Sequence, residues 1–135
     1  MSLITWTDKY SVGVEEIDAQ HQQLIAIVNA LHDALVAGSG KDSLGKILDE
    51  LVDYTAYHFD AEEKLMKLHG YDEHIKHVVK HKDLIRTAVE LQSTVKTGAT
   101  VLTLSAMDFL RYWLTHHILG SDMPLGRFLN AKGIH

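Results

Sequence analysis

The stretch "HFDAEEKLMKLHGYDEHIKHVVKH", residues 58–81, decides the fold. It carries two pairs at i,i+4 spacing, His58 with Glu62 and His77 with His81. On an α-helix each such pair projects from one face, about 6 Å apart along the axis. Between the pairs, Gly70 in "LHGYD" breaks the helical pattern and Asp72 is read as the cap of a new helix. The stretch therefore predicts two helices joined by a short turn, which makes them antiparallel neighbours. Its second half raises a question, because imidazole is not a preferred helix former, yet His74, His77 and His81 stand close together.

The same periodicity extends outward in both directions. Upstream, from about Asp42, the seam Leu44, Leu48, Leu51, Thr55 leads into His58 and Glu62. Further upstream, Asp18 is read as the cap of a first helix with the seam His21, Leu24, Val28, Leu31, Leu35, closed by Gly38 and Gly40. Downstream of His77 and His81 the seam runs Leu84, Ala88, Leu91, Val95 and ends near "KTGAT". A fourth helix places Thr103, Ala106, Leu110, Trp113 and His117 on one face before Gly120. The single proline, Pro124, lies beyond all of this.

The expectation is an all-α, up-down-up-down antiparallel four-helix bundle. It occupies one domain over residues 1–135, with an arm at 1–18, helices at about 19–37, 42–68, 72–96 and 103–119, and a short irregular tail at 120–135.

Composition narrows the functions. Apolar residues make up 46% and charged residues 23%, a globular balance, and 18 acidic against 13 basic side chains leave a net charge of −5, which argues against nucleic acid as a partner. There is no cysteine, so disulfides, thiolate ligands and a cysteine nucleophile are excluded, and any metal is held by nitrogen and oxygen. No apolar run approaches the roughly 20 residues of a membrane span and the N-terminus does not read as a secretion signal, so a cytoplasmic protein without membrane insertion is expected.

Polar side chains interrupt the apolar seam of every helix: His21, His58 with Glu62, His77 with His81, and His117. In an up-down-up-down bundle all four positions fall at the same end. Asp122 lies five residues after His117, about 140° round a regular helix, and joins them only where the helix loosens or ends. Gly120 is read as that ending. A lone histidine on such a face is more often a satisfied core residue. Five imidazoles and two carboxylates buried together leave many polar groups to satisfy, and the carboxylates repel each other, unless a cation lies between them. Seven nitrogen and oxygen ligands exceed what one ion with an open position takes, so two metals bridged by two carboxylates are the economical assignment, with iron, manganese or zinc as the suitable ions.

The segments "DAQHQQL", "HFDAEE", "HVVKH" and "WLTHHILGSD", in that order across nearly the whole chain, resemble hemerythrin, and within that family the single-domain bacterial proteins called bacteriohemerythrins. The resemblance implies a non-haem di-iron site in which His77, His81 and His117 hold one iron, His21 and His58 the other, and Glu62, Asp122 and an oxo or hydroxo group bridge them. It selects these positions over the neighbouring His74, His116 and Glu63, and leaves His32, His69 and His135 outside the site. It also implies that Leu24, Phe59, Trp113, Leu114 and Ile118 line an oxygen pocket. The run after the aspartate, "DMPLGRF", departs from the lysine and aromatic residue found in many members.

The function so implied is reversible dioxygen binding, for storage or delivery, by a monomer or weak oligomer with an oxygen-requiring enzyme as one recipient. It is not primarily an enzyme. The rival readings are an oxygen or redox sensor, and a di-iron oxidase, peroxidase or nitric oxide reductase. Carboxylate-type bundle enzymes use Glu-x-x-His pairs, and none occurs here.

Overall fold

The computed structural model describes residues 2–99 and 101–135; Met1 of the arm and Thr100, in the connection after the third helix, lie outside the described residues. The elements are α1 (Glu15–Val36), α2 (Lys41–His69), α3 (His74–Thr97), α4 (Leu104–His117) and α5 (Met123–Ala131), with a π-helical turn at Ile118–Asp122 and a 3-10 turn at Asp8–Tyr10. The long helices α1–α4 form the antiparallel bundle, α1 packing on α2 and α4, and α2 on α3. Among the described residues there is no strand, and no helix is long and apolar enough to cross a membrane.

Spacings of three and four produce these helices. On α2 the residues Leu44, Leu48, Leu51, Thr55, His58 and Glu62 are all buried, one continuous stripe facing inward. Leu31, Leu48, Leu51 and Leu110 are fully excluded from solvent, each contributing about 2 kcal/mol by burial. They occupy the half of the bundle toward the α1–α2 and α3–α4 connections, and the polar seam residues occupy the other half. Gly70 closes α2 in the left-handed conformation, φ 70°, and the Tyr71 N–H then donates to the Met66 carbonyl at 3.0 Å. That closure turns the chain directly into α3.

Three helix starts differ from the sequence reading. Asp18 does not cap α1, which begins at Glu15. Its carboxylate instead accepts hydrogen bonds from Ser11 Oγ at 2.5 Å and Val12 N at 2.8 Å, so it holds the arm down from inside the first helical turn. Asp72 does not cap α3, because the turn set by Gly70 carries the chain two residues further, and His74 N–H bonds back to the Tyr71 carbonyl at 3.1 Å. Thr103, read as the first residue of the fourth helix, is instead its cap, its hydroxyl accepting from Ala106 N at 3.1 Å.

The tail is the largest correction. Gly120 ends no helix, and residues 123–131, read as irregular, form α5. Pro124 has no N–H to return to the carbonyl four residues back and its ring presses on that carbonyl. The chain answers by widening rather than stopping: Met123 N–H bonds to the Ile118 carbonyl, five residues back. Leu125 and Leu129 then bury completely, and the Phe128 ring lies 4.9 Å from Tyr71. The "DMPLGRF" departure is thus compatible with a docked tail.

The arm is clamped between α1 and α5. Asn29 exchanges two hydrogen bonds with the Ile4 backbone, at 2.9 and 2.8 Å, and Asn130 donates to the Gly13 carbonyl at 2.9 Å. Gly126 lets the arm approach: a Cβ there would stand 2.0 Å from the Val12 carbonyl oxygen. Gly126→Ala should therefore destabilise the chain by at least about 2 kcal/mol in urea titrations. A change within 0.5 kcal/mol, roughly the range of neutral surface substitutions, would show that the arm yields freely.

Candidate metal centre

Each helix of the bundle delivers its share at the same end. α1 supplies His21 from its second turn, α2 supplies His58 and Glu62 near its close, α3 supplies His77 and His81 near its start, and α4 supplies His117 from its last position. The π turn adds Asp122. With hydrogen bonds closing five residues apart, the widened turn brings His117 and Asp122 onto one side, which a regular helix does not do.

All seven side chains are buried, none more than 7% exposed. Glu62 Oε1 stands 3.1 Å from His81 Nε2 and 3.4 Å from His77 Nε2, while Oε2 stands 3.2 Å from His58 Nε2 and 3.5 Å from His21 Nε2. Asp122 Oδ1 lies 2.9 Å from His77 Nε2 and 3.2 Å from His117 Nε2, and Oδ2 lies 2.8 Å from His21 Nε2. Each carboxylate so directs one oxygen at the group His77, His81 and His117, and the other at the group containing His21. The ligand atoms form two overlapping sets that share Glu62 and Asp122, three imidazoles in one and two in the other, all within 4.8 Å inside a set.

These atoms are close without being properly hydrogen-bonded. Nε2 of His21, His58, His77 and His117, Oε2 of Glu62 and both oxygens of Asp122 have no hydrogen-bond partner, although they are fully buried. Orphaned buried polar atoms are expensive, and their convergence on common points is what cations resolve. An imidazole and carboxylate set without sulfur fits borderline and hard divalent ions.

The rings are held from behind. His58 Nδ1 lies 2.6 Å from Gln20 Oε1 and His81 Nδ1 lies 2.9 Å from Glu63 Oε2, so each can donate its Nδ1–H to that oxygen, which leaves Nε2 as the ligand atom. Phe59 stacks on the His81 ring at 3.8 Å and 3°. The sequence does not single out Gln20, and the resemblance selects Glu62 over Glu63. Both are neighbours in sequence of site residues, but nothing in the spacing assigns them this buttressing contact.

The charged groups of the cluster set one another's protonation. Burial opposes the imidazolium forms of His21 and His77, but the Asp122 and Glu62 carboxylates beside them win and push both pKa values up to about 9. Burial raises Glu62, and the imidazoles His58, His21 and His77 more than reverse it, holding it well below the usual carboxylate range. Asp122 is likewise held low, by His117 and His21 against its own burial and the repulsion of Glu62.

A narrow cavity of about 10 Å3 lies against His21, His58, His117 and Asp122, with Leu24, Phe59, Trp113, Leu114 and Leu84 as its apolar wall. Four of the five side chains expected at an oxygen pocket are there. Ile118 is fully buried in the adjoining core and does not line it. Leu84, not anticipated, takes its place from the seam three residues after His81. His32, His69, His74, His116 and His135 stand outside both ligand sets. His116 is on the surface, stacked on Tyr112.

Fold and site together define a helical-bundle protein with a buried metal centre of histidine and carboxylate side chains. Residues 12–129 match the family model of the hemerythrin HHE cation binding domain. The bacteriohemerythrin of Methylococcus capsulatus is 34% identical over 132 residues, 97% of this chain and all of that one. A hemerythrin-like protein of Naegleria gruberi is 30% identical over 90% of each chain. A crystal structure of wild-type hemerythrin, 34% identical, superposes with a TM-score of 0.87 over 95% of this chain and 98% of its own. This chain belongs to the hemerythrin family, and is thereby an oxygen-binding metalloprotein.

Proposed function

We propose that the chain binds dioxygen reversibly at a non-haem di-iron centre, for storage or delivery. His77, His81 and His117 would hold one iron and His21 and His58 the other, with Glu62, Asp122 and an oxo or hydroxo group shared between the two. The observation that carries this reading is the division of each carboxylate's oxygens between the two histidine groups. Iron held there would meet three imidazoles on one side and two on the other, which would leave the two-histidine side the less crowded. That is the side on which both His21 and His58 line the narrow cavity, where a small ligand would have room to reach the metal.

Iron bound by these residues would supply the reversible two-electron chemistry that dioxygen binding and release require. The chain's contribution is enclosure and positioning. A cavity of about 10 Å3 is on the scale of a single water molecule's centre volume, and its wall of Leu24, Phe59, Leu84, Trp113 and Leu114 keeps water and anions from displacing the bound gas. Gln20 and Glu63 fix two imidazoles from behind. Five imidazoles provide less anionic charge to stabilise oxidised iron than a glutamate-rich set does, which favours carriage over oxidase, peroxidase or nitric oxide reductase activity.

The test is an iron assay joined to a visible spectrum of protein reduced without air, exposed to oxygen and swept with inert gas. Two irons per chain and a band that comes and goes with oxygen support a carrier. A band that decays irreversibly moves the assignment to an enzyme or sensor, and absence of iron removes the site. Leu114→Tyr, which brings a hydroxyl into the cavity wall, should shorten the lifetime of the oxygen-bound form by about tenfold while keeping two irons. An unchanged lifetime would take Leu114 out of the wall.

A further inference from the structure

On the outer side of that wall, residues of α3, α4 and the π turn line an open cleft of about 520 Å3. This is within the roughly 300–1,000 Å3 of small-molecule sites and too little for a partner helix some 10 Å across to enter along its length. Leu84, Trp113 and His117 belong to both cavities, so the cleft is separated from the narrow one by single side chains.

Its surface has an unusual composition for a solvated helix face. Phe109 is 48% and Tyr112 58% exposed, and Tyr112 lies flat against His116, ring centroids 4.8 Å apart at 19°. Trp113 spends its indole N–H on the Leu84 carbonyl at 3.2 Å and offers the cleft only its ring. The charges are unequal. Asp83 is neutralised by Arg86 Nη2 at 2.9 Å. Lys80 Nζ touches Ser121 Oγ at 3.3 Å and has no carboxylate within ion-pair distance among the described residues. Ser121, accepting from Lys80, keeps its own O–H to donate.

We propose that this cleft binds a planar aromatic ligand carrying one anionic group, its ring against the Phe109, Tyr112 and Trp113 side and its anion on Lys80 and Ser121. Aromatic walls favour a ring that can stack, and the cation at the cleft's end, without a carboxylate partner among the described residues, favours one anionic group there. The site is distinct from the narrow cavity: no ligand of the metal centre except His117 borders it.

The probes are flavin mononucleotide and riboflavin, which share a ring system and differ by a phosphate, titrated into the iron-loaded, oxidised chain by flavin fluorescence. Flavin mononucleotide should bind saturably and about fivefold more tightly than riboflavin. Lys80→Ala should erase that difference and leave riboflavin binding unchanged, and Tyr112→Ala should weaken both by about fivefold. Both side chains are exposed, so neither variant threatens the fold. Absence of saturable binding, or binding indifferent to both substitutions, overturns the proposal. Iron content measured on the same samples keeps that result separate from any failure of the metal centre.

Discussion

Glu62→Gln should cut iron from two per chain to one or fewer, while His74→Ala leaves it at two. Glu62 approaches four of the five imidazoles, His21, His58, His77 and His81, and is fully buried. Gln keeps the volume and removes the charge, so the fold loses little and the centre loses one of its two anions. A neutral amide is a far weaker metal ligand than a carboxylate, and its NH2 end has no lone pair to offer a metal and can donate to the imidazole Nε2 lone pairs that the metal needs. Loss of an outer partner alone typically costs 10–100-fold in metal affinity, so loss of a bridging anion should cost at least about 100-fold. Anaerobic reconstitution followed by a colorimetric iron assay reads the result. Two irons bound to Glu62→Gln with near-parental affinity would show that Asp122 alone bridges. His77→Ala should also lower iron, whereas His74, outside both ligand sets, is the control for register on α3.

Much of this site was legible in the sequence because its logic is periodic. The i,i+4 pairs His58 with Glu62 and His77 with His81 needed only regular helix geometry to be placed on common faces, and alternating helix direction put them at one end with His21 and His117. Asp122 was different. Its five-residue spacing from His117 is incompatible with a regular helix, and two solutions, a stop or a widening, satisfy it equally from sequence. Gly120 suggested the stop. The structure widens instead, because the buried pair Leu125 and Leu129 rewards continuing the helix past Pro124. That reward is tertiary and leaves no local mark.

The caps failed for the same reason. Asp18 carries the right chemistry for a cap, but the arm's Ser11 and Val12 offer its carboxylate better-placed donors. Gln20 and Glu63 were illegible because their contacts cross between helices: which neighbour of a ligand histidine reaches behind another helix's ring depends on interhelical rotation, not on spacing. Leu84 was on the right seam and only its distance from the cavity was unknown.

Removing iron should lower the melting temperature by on the order of 10 °C near neutral pH, and the gap between loaded and metal-free chain should widen as pH rises from about 6.5 to about 9. The sign follows from which protonation states the metal-free fold prefers. His21 and His77 titrate near 9 in the folded chain, against about 6.5 when unfolded. A raised pKa contributes stability that is complete below about 6.5 and is lost as pH climbs through about 9. Glu62 and Asp122, held below the carboxylate range, contribute stability that is complete above the unfolded value of about 4 and fades as pH falls below it. The metal-free chain is therefore held together best in mildly acidic solution, where two imidazolium ions offset two carboxylates in place of metal. The loaded chain has the opposite preference, since its ligands are neutral imidazoles and ionised carboxylates, and metal binding near pH 7.5 should release about two protons per chain from His21 and His77. Melting curves of both forms across this range, together with loading heats in two buffers of different ionisation enthalpy, test both halves. A gap that stays constant or narrows toward pH 9, with no proton release, would mean that these imidazoles are already neutral in the metal-free fold and that its orphaned carboxylates are stabilised by something other than protons.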